Sequence, residues 1–128
     1  MTDQTLTIDV PDSAWLTSNR KEHPQVVARK RRVLRQLAWA KAKQARLRPY
    51  SGPVHVMAWI QYRTGGRADP CNAYPSIKSL IDGLVDSGLM VDDDSEHVIG
   101  PDMRRTPGKA PADCHRIKLA FTEQEVPF

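Results

Sequence analysis

Apolar and polar residues alternate near both ends of the chain and fall into helical spacing between them. Residues 5–10 (TLTIDV) alternate and are rich in β-formers, which predicts a short strand ending at Pro11. Residues 11–24 read as a polar loop. From Pro24 or Gln25 to Leu47 the composition turns to Ala, Arg, Lys, Leu and Gln with no Gly or Pro before Pro49, so a long helix is expected. On a helical wheel Val26, Val33, Leu37, Ala40 and Leu47 line one side, widened by Val27, Leu34, Ala38 and Ala45. The opposite side carries Arg32, Arg35, Trp39, Lys43 and Arg46. Residues 54–62 (VHVMAWIQY) form a mostly apolar run suited to a central strand, closed by a flexible Thr64-Gly65-Gly66-Arg67 turn.

Ile77, Leu80, Ile81, Leu84 and Val85 then repeat with the spacing of a second amphipathic helix. Pro75 suits its first turn and Gly88 its end, while Gly83 in its interior weakens the pattern. Residues 97–99 read as a short, weak strand, 100–111 as irregular, and 114–122 (CHRIKLAFT) as a last strand. The order is β-α-β-α-(β)-β. That is an α/β (α+β) fold, a small mixed sheet packed against two helices, in one domain over residues 1–128.

Composition bounds this picture. A chain of 128 residues buries roughly two thirds of its unfolded surface, enough for one core without metals or disulfides. No apolar run approaches the roughly eighteen residues of a membrane span, and the start Met1-Thr2-Asp3-Gln4 lacks the features of a signal peptide. A cytoplasmic protein with no membrane partner is expected. Cys71 and Cys114 suggest neither a disulfide nor a zinc site, and Cys71 reads as a buried or inert thiol. Net charge is +4, but its distribution is more telling than its size. Eleven of the nineteen Lys and Arg residues lie between Arg20 and Arg48 with one acid, Glu22. Between Lys78 and Arg104 there is no Lys or Arg, and Asp82, Asp86, Asp92, Asp93, Asp94 and Glu96 fall there. One segment can grip phosphates and another can hold cations. A basic helix face is often merely solvated, yet Trp39 amid its cations calls for a cover, either nucleic acid or a partner subunit.

The candidate chemistry centres on carboxylates. Asp92-Asp93-Asp94 follow the second helix, and Asp69 follows a strand beside the Gly-Gly turn. A run of acids ordinarily solvates a turn. Two separated loops of acids would also suit Mg²⁺, which takes one or two carboxylates and leaves other positions to water and phosphate. The second helix spans roughly 20 Å. Residues 88–93, nearly extended, reach back about 20 Å, so the two loops can just meet. Lys78 reads either as an exposed partner of Asp82 or as a cation steadying a scissile phosphate. Asn72 reads as a turn-ordering residue or as a contact to substrate. The four histidines lack zinc-ligand spacing, and neither a nucleophile elbow nor a phosphate-binding Gly-rich loop is present.

Asp69-Pro70-Cys71-Asn72, then Lys78-Ser79-Leu80-Ile81-Asp82-Gly83-Leu84, then Gly88 and Val91-Asp92-Asp93 together resemble the RusA-type Holliday junction resolvases. These are small phage and prophage proteins with an Asp-x-Asp-Asn pattern, a Lys opening a K-x-x-x-D-x-L helix, and an Asp-Asp pair after it. Ile8 to Pro11 and Ser18-Asn19 resemble the family's first strand and polar loop. The resemblance implies a homodimer in the bacterial host cytoplasm that binds four-way DNA junctions and nicks two strands symmetrically. It implies Mg²⁺, with Mn²⁺ as the alternative cation. Asp69, Lys78 and Asp93 are then the catalytic candidates, and Asp69, Asp92, Asp93 and Asp94 the metal candidates. Asn19, Arg32, Arg35, Trp39, Lys43, Arg46, Arg67 and Asn72 are the DNA-binding candidates. Two departures stand out: Cys71 occupies the second motif aspartate's position, and three extra residues separate Asn72 from Lys78. A thiolate is a soft ligand ill-suited to Mg²⁺, which keeps open a junction-binding protein that cuts weakly or not at all. A phage protein-interaction module is the reading from another class.

Overall fold

A computed structural model describes residues 3–128, so the first two positions of the N-terminal stretch read for a signal peptide lie outside it. Its elements are β1 (Gln4–Pro11), α1 (Pro24–Gln44), β2 (Val54–Gln61), α2 (Tyr74–Asp86), β3 (Val98–Arg105) and β4 (Cys114–Glu123). Short 3-10 turns at Asp12–Ala14 and Pro70–Ala73 precede the α1 loop and α2. The strands form one mixed sheet in the order β1-β4-β2-β3, with β4 antiparallel to both β1 and β2, and β3 parallel to β2. The parallel pair needs a crossover, and α2 supplies it.

Period-two alternation turns Leu6, Ile8 and Val10 of β1, Val54, Val56, Ala58 and Ile60 of β2, and Ile117, Leu119 and Phe121 of β4 to one face. These meet Leu34, Ala38 and Ala42 of α1 and Ile77, Leu80, Ile81 and Leu84 of α2 in a single core. The expected fold class, a small mixed sheet against two helices, is what the structure contains.

The face that α1 buries differs from the wheel. Its inner stripe is Leu34, Ala38 and Ala42 with Lys30, whereas Val33 and Ala40 are exposed. The cause is the close crossing with α2. A Cβ on Gly83 would lie 2.2 Å from the Arg35 carbonyl oxygen and 2.9 Å from the Ala38 Cβ, so only small residues fit at that crossing. Gly83 is thus a packing requirement and not a flaw in the helix. Lys30 tolerates burial because its Nζ bonds the Trp15 carbonyl oxygen at 3.1 Å and pairs with Glu22 at 2.9 Å. At its C-terminus α1 stops at Gln44, before the expected Leu47. Arg46 turns left-handed at φ 54°, and Leu47 N–H closes onto the Ala42 carbonyl oxygen at 3.2 Å.

Two irregular segments are more ordered than their composition suggests. β3 continues to Arg105 through residues expected to be irregular. An extra residue is accommodated where the register shifts opposite His55 and Met57, and Gly100 (φ 98°) fits there because a Cβ would come 2.8 Å from Asp102 N. The loop after β1 is only partly polar: Ala14 and Leu16 are buried. Leu16 donates its N–H to Ser76 Oγ, which donates back to the Leu16 carbonyl oxygen, both at 2.7 Å. That buried pair fastens the loop to α2.

Candidate functional site

The residues singled out by sequence fall into three groups around α1 and the N-terminal half of α2. The first forms where the chain reverses after α2. Gly88 takes φ 89°, Leu89 and Met90 plug into the core, and the acidic loop runs back along the helix. The return reaches Lys78, about 12 Å from the helix end at 1.5 Å per residue. There the Lys78 ammonium is held between Asp82 and Asp93. The Lys78–Asp82 pair expected from helical spacing is present, and Asp93 joins it. Asp92 Oδ1 accepts the Asp93 N–H at 2.7 Å and fixes the loop, while Asp94 turns away to His97 at 2.7 Å.

Electrostatics in this group favour charge on both partners. Hydrogen bonding from Lys78 holds the Asp93 carboxyl below its ordinary range. Partial burial works against the Lys78 ammonium, but the hydrogen bonds it donates to Asp82 and Asp93 outweigh it and raise its pKa. Lys78 is thereby kept a cation and is unsuited to act as a base.

The second group is a cleft of about 150 Å³. Its lining includes Asn19, Arg67, Asp69 and Asn72, drawn from three chain segments. Asp69 caps the 3-10 turn through Oδ1, which accepts the Cys71 N–H at 3.0 Å. Ser18 clips the α1 loop to the same turn, donating its N–H to the Asn72 carbonyl oxygen at 2.9 Å. Trp15 and Tyr62 also line the cleft. Sequence reasoning missed both; the Ala14-Trp15-Leu16 run inside a supposedly polar loop was the signal. Cys71 is exposed, so of the buried-or-inert reading the burial does not hold, and both cysteines are free.

The third group is the basic face of α1. Trp39 is 46% exposed and lines an open pocket of about 350 Å³ with Arg32, Arg35 and Asp86. Arg35 is not a free cation: Nε and Nη2 make a two-pronged bond to Asp86 at 3.0 and 2.9 Å, and Asp82 and Asp93 add to its field. Lys43 lies 6.0 Å from the Trp39 ring centroid. Lys43 and Arg46 border a further small pocket beside Gly88.

Asp69 and the Lys78 group are separated by the 3-10 turn and one turn of α2, at most about 15 Å of chain rise. Among the described residues no three His, Cys, Asp or Glu side chains converge as a ready metal cage. Asp69, Asp92 and Asp93 are exposed carboxylates, the ligand type that a hard divalent cation takes, whereas Asp82 and Asp93 are already paired with the Lys78 ammonium. One or two carboxylates with water and phosphate would complete such a shell. Among the described residues no helix is long and apolar enough to cross a membrane. Neither a protein-family model nor a curated protein matches the chain.

Proposed function

We propose that this chain is a metal-dependent endodeoxyribonuclease that binds four-way DNA junctions as a homodimer and resolves them by symmetric cutting, in recombination or repair in the cytoplasm. The observation that carries this reading is the convergence of Asp82 and Asp93, eleven residues apart in sequence, on the single Lys78 ammonium. Asp69 lies one 3-10 turn and one turn of α2 away along the chain. The resemblance of the Asp69-to-Asp93 stretch to RusA-type resolvases adds to it.

Hydrolysis of a phosphodiester adds water oxygen to phosphorus and releases the 3′ or 5′ oxygen, so negative charge grows on the phosphoryl oxygens. Lys78, held in place by two carboxylates and kept protonated, meets that charge without first having to order itself. Asp69 and Asp93 would hold Mg²⁺ or Mn²⁺, which when bound supplies Lewis-acid polarisation and a more acidic water. Arg32, Lys43 and Arg46 bind flanking phosphates, and Arg35, already tied to Asp86, orients α1 against α2.

On a labelled synthetic junction with Mg²⁺, paired nicks at symmetric positions are expected. Asp69→Asn and Asp93→Asn should each slow them at least about a hundredfold, a loss of roughly 2.7 kcal/mol in barrier lowering. Absent nicks with the native chain, or equal nicks with both variants, would sink the nuclease. A second reading, a junction binder that does not cut, is favoured by Cys71 at a carboxylate position. Tight junction binding without any nicks is its signature.

A further inference from the structure

The geometry points to the cleft between the α1 loop and the 3-10 turn as a binding site for a single nucleobase of the DNA strand. This rests on the nuclease reading and assigns the cleft a role in choosing where the strand lies. Three observations carry it.

The first is the wall chemistry. Trp15 and Tyr62 line the cleft, and every base offers a π-face to such rings. A third ring holds them: His115 stacks on Trp15 at 4.0 Å with planes 4° apart and meets Tyr62 edge-on at 5.5 Å. The walls are thus fixed before anything enters. The second is size. A space of about 150 Å³ suits one planar heterocycle and is too small for a duplex or a helix of a partner protein.

The third is the set of uncommitted polar groups. Asn19 is bonded through its carbonyl oxygen to Thr17 at 2.7 Å, and the Asn72 side-chain oxygen faces Ser18 Oγ at 3.4 Å. Both amide nitrogens and the Arg67 guanidinium carry no hydrogen bond or ion pair among the described residues. Amide and guanidinium donors match the acceptor atoms on the edge of a base. A phosphate would satisfy the donors but has no π-face for the ring walls. An apolar peptide side chain would leave all three donors unpaired.

The full chain is titrated, by fluorescence anisotropy, with a labelled four-way junction and with a series carrying one abasic residue at successive positions around the crossover. One position is expected to lose about tenfold in affinity on removal of the base, which corresponds to the ~1–3 kcal/mol of a stacked base. Asn19→Ala with Arg67→Ala should erase that difference. Lys43→Ala should weaken all junctions alike and leave the difference intact. Asn19 and Arg67 are exposed, so the fold should persist, as thermal melts will verify. Uniform affinity across the abasic series, with tight binding overall, would overturn the base site and spare the nuclease reading. No binding to any junction would overturn both. Binding of free deoxynucleoside monophosphates with the affinity of the junction would also overturn it, by making the ligand a loose nucleotide.

Discussion

His115 lies in a ring stack with its Nδ1 2.9 Å from Asp12 Oδ1. Arg63 Nη1 lies 3.1 Å from the other Asp12 oxygen but out of alignment, leaving that buried oxygen without a hydrogen bond. Burial lowers the His115 pKa, and Asp12 opposes the shift without cancelling it. A histidine with a folded pKa below its ordinary 6.5 binds protons more readily when unfolded. Its contribution is therefore present above that value and is lost as pH falls through the folded pKa. Urea midpoints should decline below about pH 6.5 in the native chain, and more gently in His115→Phe. Equal slopes would show that the stack does not hold the imidazole neutral. Nothing local in the sequence pairs residues 12, 15, 62 and 115, since their contact depends on which strands become neighbours. By contrast, the Lys78–Asp82 pair could be read from helical spacing, while chain lengths showed only that the acidic loop can return along α2 and not that it stops at Lys78.

Among the elements, those with a strong period were legible. β1, β2, β4 and α2 fall within a residue or two of their expected bounds because one buried face imposes its repeat on the chain. β3 was legible only at its start. Gly100 and Pro101 signal a break, and Asp102, Arg104 and Arg105 offer no apolar alternation, yet the parallel pairing with β2 holds them extended. On α1 the wheel misplaced the inner face because small residues, not large ones, sit at the crossing. Gly83→Ala tests that account: with its Cβ against the Arg35 carbonyl, α1 and α2 must separate, at a cost of about 1–3 kcal/mol. A melting temperature unchanged from the native chain would refute the crossing. Gly88→Ala should also destabilise, through its left-handed backbone, although open space surrounds it.

At the scale of the whole molecule, charge is segregated: cations crowd α1 and acids gather after α2, with Arg35–Asp86 at their border. This segregation was plain in the sequence, because it needs only counting. Its functional test is salt dependence. If Arg32, Lys43 and Arg46 contact phosphates, replacing all three with Ala should flatten the plot of log affinity against log salt by roughly three counterions, and leave the melting temperature nearly unchanged. An unaltered slope would show that these three residues contact no phosphate.

The strand order also leaves β3 at one margin of the sheet. A margin of this kind offers unpaired backbone groups to any other extended chain, and proteins blunt it with proline, charge or a covering loop. β3 carries all three: Pro101 has no N–H to offer, Asp102, Arg104 and Arg105 bring charge, and the turn at Pro70–Ala73 packs beside it. Two copies are thereby discouraged from fusing their sheets along β3. A dimer would have to be built on other surfaces, and the chain should remain dispersed at high protein concentration. With Pro101→Thr, Arg104→Val and Arg105→Val together, that protection goes, and light scattering should rise with protein concentration where the native chain stays clear.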